Sequence, residues 1–194
     1  MSPRARSTIE RIFAVALLVA PPSLWAIWKP VRAFAPEWAG VQCYSGSVCT
    51  DDPSRVSEAL SLKVEAMSFV ENWAGKFDAT PRLIFCTTAA CDKSFGFTGN
   101  AAYNVGAQAL VVSTRGWKPY YIRHELIHVV QVERIGGFRM LFHTPTWLIE
   151  GMAYSASGDP RRPLLEPWET YRHSYENWVE KTPIKELWPS AAAL

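Results

Sequence analysis

Between Arg55 and Lys76 the apolar residues Val56, Leu60, Val64, Met67, Val70 and Trp73 recur at spacings of three and four. That period predicts an amphipathic helix with one face on a core. Asp52-Pro53-Ser54 supplies chemistry for its start, and Gly75 with the stretch 78–81 ends it. Arg82–Cys86 is a short, mostly apolar run and predicts a strand; Ala107–Ser113 predicts another. Between them, 95–106 is rich in Gly and Asn and reads as loop or short irregular strand. Pro119 suits the first turn of a helix over about 120–135, stopped by Gly136-Gly137. A further helix is expected from about Thr146 to Ser157, closed by Gly158-Asp159-Pro160. The tail from Arg161 shows weak helical patterning around 168–181.

The N-terminal pattern is different. Ile12 to Trp28 is uncharged and almost wholly apolar, and it follows an Arg-bearing start. This is the order of a signal anchor or a secretory signal peptide. As a helix it would cover roughly 25 Å, a little short of the hydrocarbon core, with Pro21 and Pro22 bending or stopping it. Ala33-Phe34-Ala35 is the small-residue site a cleaved signal would use, and Trp25 and Trp28 beside Lys29 suit interfacial anchoring. The expected layout is therefore 1–35 as anchor or signal, 36–53 as a tethering loop, and 54–194 as the folded domain. Either reading delivers the body across a membrane, anchored on the extracytoplasmic side or secreted into a periplasm or beyond. Four cysteines agree with export: two local bridges, Cys43–Cys49 and Cys86–Cys91, are the economical pairing. The gaps lack the close CxxC spacing of a four-thiolate zinc site.

The 194 residues suit one domain with a short appendage, and 48% hydrophobic with 20% charged residues excludes a disordered chain. No internal repeat is present. Residues 1–35 hold five of the 20 basic residues and one of the 18 acidic ones, so the body is slightly acidic. It has no basic stripe, which excludes nucleic acid as the expected partner.

The chemistry concentrates at His124-Glu125-Leu126-Ile127-His128, an HExxH motif inside the helix over 120–135. Histidines at i and i+4 share one helix face, so both imidazoles can bind one metal. Glu125 leaves the helix at another angle, where it can act on a water as general base and acid. Zn²⁺ takes neutral imidazole and uses three protein ligands in catalytic sites, leaving one position open. Glu150, 22 positions beyond His128, is a carboxylate amid the apolar residues of Trp147–Ala153, and a buried carboxylate needs a partner. It is the candidate third ligand; an ion pair with Arg123 or Arg134 is the competing role.

With these residues in view, the chain resembles the gluzincin metallopeptidases, the HExxH…E group of zinc peptidases. His124, Glu125 and His128 carry the resemblance, together with Trp147-Leu148-Ile149-Glu150-Gly151-Met152-Ala153, which is similar to the W-L-x-E-G-x-A pattern of the peptidase MA-like and aminopeptidase-like branch. The resemblance covers about 121–157. It implies an α+β, zincin-like fold: a small mixed sheet, an active-site helix carrying HExxH and a following helix carrying the third ligand. It implies one zinc per chain on His124, His128 and Glu150, with Glu125 as the catalytic base. It places Ala109–Ser113 as the sheet edge that pairs with an extended substrate.

An oxyanion-steadying Tyr or His is also implied, and Tyr154, Tyr171, His173 and Tyr175 are the candidates. No GxMEN exopeptidase motif and no third His of the metzincin kind is present. The expected activity is hydrolysis of a peptide or protein substrate by a membrane-tethered or exported enzyme. Two alternatives stand beside it: an inactive zincin-like domain that binds a partner, and an amidase acting on cell-wall peptides. His143 is expected in a linker, Arg161-Arg162 in a turn able to meet a substrate carboxylate, and the aromatic tail in packing.

Overall fold

The computed structural model describes residues 28–45 and 47–194; the stretch 1–27, with most of the expected anchor, lies outside the described residues. The fold is α+β, as expected, and is built on a five-stranded mixed sheet. Its strands are β1 (Gln42–Tyr44), β2 (Val48–Thr50), β3 (Arg82–Phe85), β4 (Ala102–Val105) and β5 (Ala109–Val112), in the order β1-β2-β3-β5-β4. β2, β3 and β5 run parallel, while β1 and β4 close the two edges antiparallel.

Side-chain alternation along the central strands divides the core in two. Val48, Leu83, Phe85, Leu110 and Val112 face one way; they pack with Ile122, Leu126 and Ile127 of helix α3 (Pro119–Ile135) and with helix α1 (Val56–Ala74). Cys49, Ile84, Cys86, Ala109 and Val111 face the other way, toward helix α2 (Ala89–Phe95) and the segment before β1. That segment forms two short 3₁₀ turns, Lys29–Phe34 and Pro36–Ala39. After α3 come α4 (Gly137–Phe142), α5 (Thr146–Ala156), α6 (Trp168–Val179) and α7 (Leu187–Ala193). None of the described helices is long and apolar enough to cross a membrane.

Four expectations change. The stretch 36–53 is not a tether: it holds the β1–β2 hairpin, and Val48 and Cys49 are fully buried in the sheet. Ala109–Ser113 is not an edge. β5 is flanked by β3 and β4, because the Gly/Asn-rich stretch pairs Ala102–Val105 onto it from outside. The buried stripe of α1 is Ala59, Lys63, Ala66, Val70 and Ala74, whereas Val64 is 63% exposed. Small side chains on that stripe let the helix lie close to the sheet and α3, so the larger apolar residues flank the contact. The linker around His143 contains a helical turn, α4, with His143 exposed just beyond it.

Both expected disulfides are present, Cys43–Cys49 and Cys86–Cys91, and no described cysteine is free. Cys43 and Cys49 are also direct partners in the β1–β2 register, so this bridge staples the hairpin. Two closed bridges indicate an oxidising, extracytoplasmic environment.

Candidate metal centre

α3 starts at Pro119, whose missing N–H costs nothing in a first turn, and ends at Gly136 in a left-handed conformation with φ 94°. Leu126, Ile127, Val129 and Val130 bury it on the core. That orientation turns His124 and His128, one turn apart, toward α5. α5 brings Glu150 to face them, and the chemistry of this crossing depends on Gly151. A Cβ there would lie 2.2 Å from the backbone oxygen of Tyr171, so only glycine lets α6 pack this closely on α5.

The three side chains converge. His124 Nε2 and His128 Nε2 are 3.2 Å apart. Glu150 places Oε2 3.6 Å from His124 Nε2 and Oε1 3.7 Å from His128 Nε2. All three donor atoms fall within 4.8 Å of one another, so His124, His128 and Glu150 form a group able to hold a metal ion. Tetrahedral bonds of about 2.0–2.2 Å separate ligand atoms by roughly 3.3–3.5 Å, close to what the side chains already adopt.

The hydrogen-bonding pattern also fits a cation. Gln131, fully buried on α3, donates through Nε2 to the Ile149 carbonyl at 3.0 Å, which turns its Oε1 toward His128 Nδ1 at 2.8 Å. Amide oxygen accepts only, so His128 carries its proton on Nδ1, and neutral His128 presents a bare lone pair on Nε2. Two imidazole nitrogens and a carboxylate in mutual contact are a donor-atom set that a metal cation takes. Burial works against the Glu150 carboxylate, yet His124 and His128 hold its pKa below the ordinary value. The alternative partners are engaged elsewhere: Arg123 pairs with Glu65 and Arg134 with Asp78.

Glu125 lies beside this group. Burial is the main cause that pushes its pKa up to about 7, and the Glu150 charge adds to the rise; His128 and the Asn104 backbone N–H act against it. A carboxyl balanced near neutrality suits a group that takes and returns a proton. The Asn104 contact ties Glu125 to β4, the true edge strand next to α3.

A cleft of about 550 Å³ opens over these residues. One wall is 99–102 with Asn104; the other includes Tyr121, Tyr154, Arg161, Leu164 and Trp168. Of the four oxyanion candidates, Tyr154 alone lines the cleft, its ring centroid 4.4 Å from that of His124 and 5.8 Å from that of Trp168, to which it is tilted. Burial and the Glu150 charge push the Tyr154 pKa up to about 12, so it keeps its proton as a donor. The other candidates are placed differently. Tyr171 packs on Trp168, Tyr175 is a core residue beside Trp178, and His173 lies on the exposed side of α6 between Glu169 and Glu176.

Arg161 stays solvent-exposed beyond α5, as a turn residue would, but it is held in place. Asp159 grips it through Nε at 2.9 Å, Tyr121 stacks under its guanidinium at 4.9 Å, and the fully buried Arg172 holds its carbonyl at 3.0 Å. Gln131, Tyr121 and Asn104 were not singled out from sequence. Gln131 alone had a signal: it is a polar residue three positions past His128, on the same helix face and between valines. No protein-family model, curated protein or solved structure matches the chain.

Proposed function

We propose that this chain is a zinc-dependent peptidase of the gluzincin kind, exported and held at a membrane by its N-terminal segment. The convergence of His124, His128 and Glu150 beside Glu125 at the floor of one cleft carries the reading. Two imidazoles and one carboxylate are the ligand set of a catalytic zinc with an open position. When bound, zinc would supply a Lewis acid for a substrate carbonyl and lower the pKa of a water at the site. Glu125 takes the proton of the attacking water and returns it to the leaving amine. The Tyr154 hydroxyl donates to the carbonyl oxygen as its charge grows. The free side of β4 offers main-chain groups to an extended peptide, which lies across the cleft in strand form. The helix order, with HExxH on α3 and the third ligand on α5, supports a zincin-like architecture.

The test is metal content and hydrolysis on the full chain in detergent. One zinc per chain is expected, lost in Glu150→Ala. Glu125→Gln is expected to keep zinc and to lose at least a hundredfold in cleavage of a mixed peptide library that includes cell-wall peptides. No zinc after reconstitution, or cleavage untouched by Glu125→Gln, overturns the proposal. Zinc without cleavage of any peptide assigns the domain to partner binding instead.

A further inference from the structure

The segment between the apolar N-terminal stretch and β1 is a structural part of the domain. Its first 3₁₀ turn, Lys29–Phe34, has three residues per turn, so residues three apart share a face. Each face has its own occupation. Ala33, joined by Pro36 of the next turn, is buried against the outer side of the sheet with Ile84, Ala109 and Val111. Lys29 and Arg32 reach the last turn of α2: Lys29 Nζ donates to the Lys93 carbonyl at 3.0 Å and Arg32 Nη1 to the Ser94 carbonyl at 2.8 Å. Cations at a helix C-terminus also complement its dipole. Arg82 of β3 donates to the carbonyls of Ala33 and Phe34 at 3.3 Å. The third face carries Trp28 and Phe34, each 56% exposed, with Val31 between them.

Trp28 has two roles at once. It is the last residue of the uncharged stretch that begins at Ile12, and its carbonyl accepts from Val31 N–H at 3.0 Å, the first backbone bond among the described residues. No spacer separates the two. A free tether would add roughly 3.3 Å of reach per residue; here that reach is nil. Cleavage at Ala33-Phe34-Ala35 would strip the first turn from the sheet, leaving the α2 carbonyls and Arg82 without these partners and Ile84 and Val111 uncovered.

We propose that residues 29–39 are a strap that makes the N-terminal apolar segment a permanent part of the mature protein and seats the domain directly on the bilayer, with Trp28 and Phe34 in the lipid interface. The occupant of the exposed aromatic face is lipid, because the chain that enters this face is itself uncharged and apolar for 17 residues. Tryptophan with adjoining cations is the side-chain set that interfaces favour. This inference rests on the membrane-held half of the proposed function and is independent of the zinc reading.

The experiment uses the full chain with its own N-terminus, expressed in a secreting bacterial host. Its intact mass is expected to include residues 1–28, with or without Met1, and the protein is expected to stay in the membrane pellet through alkaline carbonate. In phosphatidylcholine vesicles doped with a photoactivatable phosphatidylcholine, lipid adducts are expected on the tryptic peptide Ala33–Arg55, located near Phe34 by fragmentation. A Phe34→Ser variant, altered at an exposed position, is expected to lower that yield at least threefold. A mature N-terminus anywhere after Trp28 overturns the proposal, as does release by carbonate. So does the absence of adducts on Ala33–Arg55, including the case where they fall instead on the exposed Phe138, Leu141 and Phe142 of α4.

Discussion

Replacing Gln131 by Leu tests the metal centre through a residue that touches no metal. The side chain is fully buried and makes three contacts: His128 Nδ1 at 2.8 Å, the Ile149 carbonyl at 3.0 Å and Met152 Sδ at 3.3 Å. Leucine fills a similar volume, so the packing loss is small, but the imidazole loses the acceptor that fixes its tautomer. Removing such a partner from a metal-binding His weakens affinity by about 10–100-fold, or roughly 1.4–2.7 kcal/mol. Leaving a buried N–H and carbonyl unpaired costs stability by about 1–3 kcal/mol as well. The two effects are separable. Zinc affinity is read by competition with a chromogenic chelator at a temperature where circular dichroism shows Gln131→Leu folded. Gln131→Glu is the control: its carboxylate still accepts from Nδ1–H, so affinity is expected to stay within a fewfold of wild type although the bond to Ile149 is lost. A folded Gln131→Leu variant that binds zinc within twofold of wild type refutes the tautomer argument.

Three other outcomes are expected. Gly151→Ala sets a methyl against the Tyr171 backbone and is expected to destabilise the protein by about 3 kcal/mol or more in chemical denaturation, with zinc weakened because Glu150 shifts with α5. Tyr154→Phe keeps the ring packing on His124 and Trp168 but removes the donor; kcat is expected to fall about 10²-fold with zinc content unchanged, and equal kcat would remove Tyr154 from the reaction. Lys63 is buried on α1 with Nζ bonded to the Pro81 carbonyl, and burial lowers its pKa from 10.5 to about 8. Between those values the unfolded chain binds the extra proton, so stability is expected to rise with pH from about 8 to 10.5, by roughly 3 kcal/mol at most. Lys63→Met is expected to be the more stable protein at pH 7 and to lose that slope in urea titrations at stepped pH.

Legibility followed length. α1 and α3 run 19 and 17 residues, enough turns for the 3.6 period to emerge, with proline and glycine marking their ends. The HExxH spacing then placed both histidines on one face before any tertiary information was needed. The strands of the hairpin are three residues each, too short for a period of two to rise above composition, and their Cys and Gly content read as loop. The sequence of β4 leaves loop and short irregular strand both open, because its four residues sit in a Gly/Asn-rich stretch. Its Ala-Tyr-Asn-Val stretch becomes a strand because β5 pairs with it, and that pairing also turned Ala109–Val112 from an expected edge into an interior strand. Within α1, the periodic apolar residues gave the right helix and the wrong centre of its face, since alanines carry little hydropathy yet permit the closest approach.

The site divides along the same line. The ligands could be read because each is a chemically distinctive residue in a regular helix, and helix geometry converts spacing into direction. What closes the cleft comes from elements far apart in sequence, and no local pattern encodes it. Arg161 illustrates this. In sequence it belongs to an Arg-Arg-Pro turn indistinguishable from a solvated loop. In the fold, Asp159 neutralises it, Tyr121 supports it and Arg172, from the next helix, pins its carbonyl. These contacts hold Arg161 in place where a turn would leave it mobile, on the cleft wall beside Tyr154. The same dependence explains Gln131. Its polarity on a buried face was visible, but its meaning arises only when α5 supplies the Ile149 carbonyl that orients it toward His128. The α5–α6 crossing at Gly151 therefore acts on the candidate ligands twice, once by carrying Glu150 and once by fixing the amide that sets the His128 tautomer. Alterations at that crossing are expected to disturb the His124, His128 and Glu150 group even though its backbone contacts lie outside that group.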